Sequence, residues 1–158
     1  MHAEKLDSVD LQILEILQSR GRTKRNELAE KVDFSIPSIS ERLRKLEQNG
    51  VIRSYNAVLD PQKIGLTLTA FISVISESSK HYPDIVKRAS AQAEVLECHA
   101  ITGEGSHLLK IRTQNTASLE RLLTQIQSWP GVVNTRTNVV LSTPKETTVM
   151  ALPQSAIE

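Results

Sequence analysis

Arg20, Arg22, Lys24 and Arg25 lie close together with no acid among them, and Arg42, Arg44 and Lys45 form a second basic group further on. Guanidinium and ammonium groups clustered in this way attract phosphate oxygens. A different chemistry is written in Thr102-Gly103-Glu104-Gly105-Ser106. Its two glycines can take positive φ and turn backbone N–H groups toward a carboxylate, although the same residues also suit an ordinary hairpin turn. Cys98 is the single cysteine, which excludes an intrachain disulfide and a cysteine-based zinc cluster. With a three-residue turn between their strands, His99 and His107 would fall diagonally on one sheet face. Two imidazoles without a third ligand make a poor metal site, so no metal is expected. No nucleophile–base–orienter set, phosphate loop or paired-carboxylate motif stands out, and neither catalysis nor a cofactor is expected.

Composition limits what these groups can be used for. The 158 residues carry 19 Lys+Arg against 18 Asp+Glu, so the chain is no polycation that coats nucleic acid by bulk charge; any such contact depends on the clusters. Aromatics at 3% are too few to stack single-stranded bases. A 39% hydrophobic content with 23% charge fits a folded, soluble chain of one ordinary domain or two small ones. No uncharged stretch is long and apolar enough for a membrane span, and the N-terminus has acids where a signal peptide needs an apolar core. A cytoplasmic protein is expected.

The basic clusters fall on helices. Leu6, Val9, Ile13, Leu14 and Leu17 recur at helical spacing, with Asp7 or Ser8 as cap and Gly21 after the end. A shorter helix opens at Thr23 and turns Leu28, Ala29 and Val32 inward. After the tight turn Val32-Asp33-Phe34, Ser35 caps a third helix over 36–48, whose first turn tolerates Pro37. Its aliphatic back is Ile36, Ile39, Leu43 and Leu46. Ser38, Glu41 and Lys45 point the other way, and Arg42 and Arg44 flank them. Three short helices, the last two joined tightly, describe a helix-turn-helix. The third would enter the major groove, with Ser38 and Glu41 at base edges, Arg42 and Lys45 reaching bases or phosphates, and Ser35 and Arg44 in the same DNA-binding face. Glu41 would accept from cytosine N4, and Arg22, Lys24 and Arg25 would hold phosphates. Residues 51–59 read as a wing or linker strand, and the domain boundary falls between 59 and 64.

Beyond it, strands and helices alternate: a strand over 66–76, a helix over 82–93, strands over 95–102 and 106–113, a helix over 118–129 and a strand over 132–141. The order βαββαβ is a split βαβ, or ferredoxin-like, sandwich. The chain is thus α+β, with a winged helix-turn-helix over 1–60 and a ferredoxin-like domain over 61–158. Its strands are apolar on both parities, as in Phe71 and Ile72 or Val139 and Val140, which suits a sheet covered on both faces. A second copy is the economical cover, so a homodimer is expected.

Several short signatures follow one another in a telling order. They are Leu6-Asp7-x-x-Asp10, Gly21-Arg22, Glu27-Leu28-Ala29, Ser35, Arg42-Leu43-x-x-Leu46-Glu47-x-x-Gly50-Val51-Ile52, Thr102-Gly103, Pro130-Gly131-Val132, Thr135-x-Thr137 and Lys145. In order and spacing the chain resembles the Lrp/AsnC, or feast-or-famine, transcriptional regulators over essentially its full length. The resemblance implies a DNA-reading winged helix-turn-helix joined to an effector-sensing domain. It also implies dimers that assemble further, often to octamers, and a small amino-acid ligand. It carries the effector role to Thr102, Gly103, Glu104, Gly105, Ser106 and His107, with Thr135 and Thr137 as neighbours. The family usually has an Asp where this chain has Ser106, and often a Tyr where it has His107. Glu104 is then the nearest carboxylate for a ligand ammonium. Two other functions suit the same architecture. One is a sirohaem-decarboxylase-like enzyme, against which the basic helix argues; the other is a low-specificity protein that wraps DNA.

Overall fold

The computed structural model describes residues 6–153. In chain order it contains α1 (Ser8–Ser19), α2 (Arg25–Val32), α3 (Ile36–Gln48), β1 (Leu68–Ser76), a 3-10 turn (Ser79–His81), α4 (Tyr82–Ala91), β2 (Val95–Ala100), β3 (His107–Thr113), α5 (Thr116–Gln127) and β4 (Val132–Val139). None of these helices is long and apolar enough to cross a membrane. The chain divides into two compact units: residues up to 58 together with those from 145 onward, and residues 59–144.

In the first unit, α1 begins with a reciprocal cap. The Asp7 carboxylate accepts from the N–H groups of Val9 and Asp10, and the Asp10 carboxylate accepts from Asp7 N–H. The expected second helix starts later than Thr23. Lys24 holds the cap position without a side-chain bond, because the Thr23 hydroxyl donates instead to the Arg20 carbonyl at 2.6 Å. Asp33 makes the tight turn in the left-handed region at φ 55°, one that a short polar side chain tolerates. Ser35 then caps α3 by accepting from Ser38 N–H. Ile13, Leu28 and Ile39 are fully buried at the centre, with Leu11, Leu14, Val32, Leu43 and Leu46 around them. Each such side chain contributes about 1.5–3 kcal/mol through removal of apolar surface from water.

The expected strand over 51–59 does not form. A strand needs a second backbone to bond with, and none pairs with this segment among the described residues. Val58 and Leu59 are exposed, while Tyr55 is tied to α3 by donating to Glu47 at 3.0 Å. The tail also departs from the expected boundary. From residue 145 it groups with the helical unit, where Gln18 bonds the Met150 backbone and Leu152 packs against the helical core.

The second unit is an antiparallel sheet in the order β2-β3-β1-β4, the ferredoxin-like arrangement. The register sets Ile72 opposite Leu109 on one side and Thr137 on the other. Period-two alternation then sends Ala70, Ile72, Val74, Leu109 and Ile111 to one face, where they meet Ile85 and Ala89 of α4 and Leu122 and Ile126 of α5. The reverse face carries Phe71, Ser73, Ile75, Leu108 and Lys110, all half-buried within the single chain. Element ends shift from expectation where local chemistry intervenes. For example, α5 starts at Thr116 because Asn115 accepts from Ser118 N–H at 2.9 Å.

Candidate nucleic-acid interface and effector turn

Burial of Ile39, Leu43 and Leu46 turns the opposite side of α3 to solvent, and with it Glu41, Arg44, Lys45 and Gln48. These groups are already engaged with one another. Arg44 donates to Glu41 through Nε at 2.8 Å and Nη2 at 2.6 Å, and its Nη1 donates to Gln48. Lys45 Nζ stands 3.9 Å from the same Glu41 carboxylate. The hydrogen bond from Arg44 holds the Glu41 carboxyl below its ordinary range, and Glu41 in turn raises Arg44. The acid that would oppose phosphate is therefore partly neutralised where it stands. Ser38 is half-buried beside this stripe, and the Ser35 hydroxyl serves as the cap.

Arg22, Lys24 and Arg25 are exposed around the start of α2, and none enters an ion pair among the described residues; Arg20, by contrast, lies 3.4 Å from Glu27. Arg42 is the other exception. Its Nη1 donates to both Asp7 and Asp10, each at 2.7 Å, and its guanidinium carbon sits 5.4 Å from the centre of the Phe34 ring. Asp7 and Asp10 were not candidates on sequence. The reciprocal cap is legible in their three-residue spacing, but their meeting with α3 depends on tertiary packing.

The glycine turn takes the expected backbone, with φ 96° at Gly103 and 109° at Gly105. Ile101 N–H donates to the Ser106 carbonyl across its base, and Ser106 N–H donates to the Val74 carbonyl at 2.8 Å. The N–H groups of Gly103, Glu104 and Gly105 make no backbone bond among the described residues. Thr102 and Glu104 are exposed at the tip, and Glu104 pairs with Arg136 of β4. Arg136 had no local signal in the sequence, because it reaches the turn from a non-adjacent strand.

The remaining effector candidates lie elsewhere. Ser106 and His107 are buried, at 6% and 1% exposure. The Ser106 hydroxyl donates to the Val74 carbonyl at 3.2 Å, which leaves His107 Nδ1–H to donate to Ser106 Oγ at 2.9 Å. Tyr82 meets the His107 ring edge-on at 4.9 Å between centroids. Burial lowers the His107 pKa and keeps the imidazole neutral. Thr135 and Thr137 pair with Val74 and Ile72 on the helix-covered face, opposite to Arg136, and Thr135 accepts from Gln127 at 2.9 Å.

The two histidines do not share a face as expected. The ladder pairs His99 with Leu108 and Ala100 with His107, so the turn is longer than three residues and the parity changes. His99 is exposed and bonds Glu97 at 3.0 Å, while His107 points into the core. No group of three His, Cys, Asp or Glu able to hold a metal occurs among the described residues. Cys98 is half-buried, and burial pushes its thiol up, away from the reactive thiolate.

Comparisons with known proteins agree with this architecture. A winged helix-turn-helix DNA-binding model matches residues 6–53, and an Lrp/AsnC ligand binding domain model matches residues 69–150. The leucine-responsive regulatory protein of Haemophilus influenzae is 36% identical over 93% of this chain and 90% of its own. E. coli AsnC superposes with a TM-score of 0.87 at 30% identity, covering 92% of this chain and 99% of that one. A transcriptional regulator of Neisseria meningitidis, solved as an L-methionine complex, gives 0.87 at 34% identity over 92% and 96% of the two chains.

Proposed function

The chain belongs to the Lrp/AsnC family of DNA-binding transcriptional regulators, and we propose that it grips duplex DNA as a cytoplasmic homodimer or larger assembly, with Ser38, Glu41, Arg44 and Lys45 of α3 in the major groove. It is a regulator and not an enzyme, which sets the decarboxylase reading aside. The observation that carries the DNA reading is the outward stripe of α3, a row of polar and charged groups on a helix whose back is locked in the core. Arg22, Lys24 and Arg25 supply phosphate contacts that fix position without reading sequence.

Two such units are needed, since single half-sites bind weakly and pairing multiplies their affinity. The reverse face of the sheet, with Phe71, Ile75 and Leu108, supports a second copy as its cover. Further assembly, to an octamer, follows the family pattern.

The effector belongs at the glycine turn. The uncommitted N–H groups of Gly103, Glu104 and Gly105 suit a carboxylate, and the Glu104–Arg136 pair has a charge for each end of a zwitterion. Glu104 takes the ammonium role that Ser106, buried and committed, does not fill. The Neisseria relative's complex with L-methionine supports an amino acid as the ligand class.

Selection of a binding site from random duplexes, followed by affinities for that site and for an unrelated duplex, tests the DNA reading. Lys45→Ala is expected to weaken the selected site by about 1–3 kcal/mol and Lys24→Ala to weaken both duplexes alike. Failure to enrich any sequence would favour low-specificity wrapping. Thermal unfolding across the twenty amino acids tests the effector: one at a hundred times its dissociation constant adds about 2.7 kcal/mol. Glu104→Gln should abolish that gain.

A further inference from the structure

We propose that Arg42 is a positioning residue and not a DNA contact: its guanidinium latches α3 to the first turn of α1 through Asp7 and Asp10, and so fixes how Ser38, Glu41 and Lys45 are presented. This rests on the reading that α3 enters the groove. Every oxygen of the two carboxylates is committed. Asp7 Oδ1 accepts from the Val9 and Asp10 N–H groups, and Oδ2 accepts from Arg42. Asp10 Oδ2 accepts from Asp7 N–H, and Oδ1 accepts from Arg42. The reciprocal cap of α1 is therefore also the socket for a side chain of α3, and the socket is stiff because the helix start holds it.

Charge and burial point the same way. One cation between two carboxylates leaves the cluster at −1, which repels a phosphate instead of attracting it. To reach DNA, Arg42 would have to leave two ion pairs at 2.7 Å and its place over Phe34. Its side chain is 24% exposed, against 51% for Arg44 and 65% for Lys45 on the outward stripe. Both bonds leave the one nitrogen Nη1, so a lysine ammonium can answer the two acids but replaces the guanidinium near Phe34 only in part.

The experiment uses the full chain with a selected duplex and an unrelated one, each titrated across salt concentrations, with Lys45→Ala as the groove control. Arg42→Met and Asp10→Asn should each weaken the selected duplex about tenfold with the wild-type salt slope. The double variant should be no weaker than the worse single one, and Arg42→Lys should recover part of the loss. Asparagine keeps an acceptor for the cap, so Asp10→Asn removes charge without uncapping the helix. Asp10→Asn binding like wild type or tighter, with Arg42→Met weaker and its salt slope shallower by about one, would make Arg42 a phosphate contact and overturn the latch. So would a folded Arg42→Met protein that binds normally, since the pair would then serve stability alone. If Lys45→Ala also binds normally, it is the α3 reading that fails, and the latch's role in DNA binding with it.

Discussion

The side-chain amide of Gln18 holds the backbone of Met150 from both sides: Nε2 donates to the carbonyl at 3.1 Å, and Oε1 accepts from the N–H at 2.7 Å. The two residues are 132 apart in sequence, and the tail they pin continues to Leu152 against the helical core. Two partly solvated hydrogen bonds contribute modestly, so Gln18→Ala should lower unfolding stability by about 0.5–1.5 kcal/mol in chemical denaturation. Deleting the tail after Thr147 should lower it further, because Leu152 also leaves the core. Adding Gln18→Ala to the deletion should then change nothing. A full additive loss would mean that Gln18 acts through some other partner.

Gly131 leaves no room for a side chain. It sits at φ 79°, and a β-carbon there would overlap Cγ and Cδ2 of His81. The ring cannot easily yield, since its Nε2 bonds Glu77 at 2.7 Å while Glu77 N–H donates to the Gly131 carbonyl at 2.9 Å. Gly131→Ala should therefore cost about 2–4 kcal/mol, from left-handed strain plus overpacking. In a His81→Gly background, which also removes the β-carbon 2.6 Å from the added one, the loss should shrink to about 1 kcal/mol, the strain alone. Equal losses in both backgrounds would acquit the ring.

The buried pair Ser106 and His107 predicts a pH dependence. The unfolded chain's imidazole takes a proton near its ordinary value of about 6.5, and the folded one only below it, because burial disfavours the charged form. Between the two values the unfolded state binds more protons, so stability falls as pH drops from 7 through that window. His107→Gln should flatten this part of the profile. Ser106→Ala should cost about 1–3 kcal/mol at neutral pH by orphaning the Nδ1–H donor. An unchanged pH profile in His107→Gln would show that another group carries the dependence.

Much of this was legible in the chain, and what was missed shares a cause. Ser35 as cap, Ile39, Leu43 and Leu46 as the buried back of α3 and the βαββαβ order follow from local periodicity and turn chemistry, whereas Ile36, expected with that back, sits in the first turn and is 50% exposed. Sequence reasoning also found the glycine turn, since only positive φ explains Gly103 and Gly105 together. It missed register and partnership. A change of turn length by one residue moved His107 from a shared face with His99 into the core. Arg42 read as a basic flank of a recognition helix, and nothing near it in sequence announces Asp7 and Asp10. Residues 51–59 have strand composition, but a strand exists only where a second backbone meets it.

Glu41 offers the most discriminating test of how α3 reads DNA. In the free protein it engages Arg44 closely and Lys45 at 3.9 Å, so its removal should add one net positive charge to the stripe and turn both cations toward phosphate. Glu41→Gln is expected to tighten binding to an unrelated duplex by roughly three- to tenfold and to steepen the salt slope. If Glu41 also accepts from a cytosine amino group in the selected site, that gain will be offset there, because glutamine presents a different donor–acceptor pattern. The ratio of selected to unrelated affinity should therefore fall more than either value alone suggests. Fluorescence anisotropy with both duplexes at three salt concentrations measures slope and ratio together. A ratio that holds while both affinities rise equally would confine Glu41 to holding Arg44 and Lys45, and would leave base reading to Ser38 and Lys45.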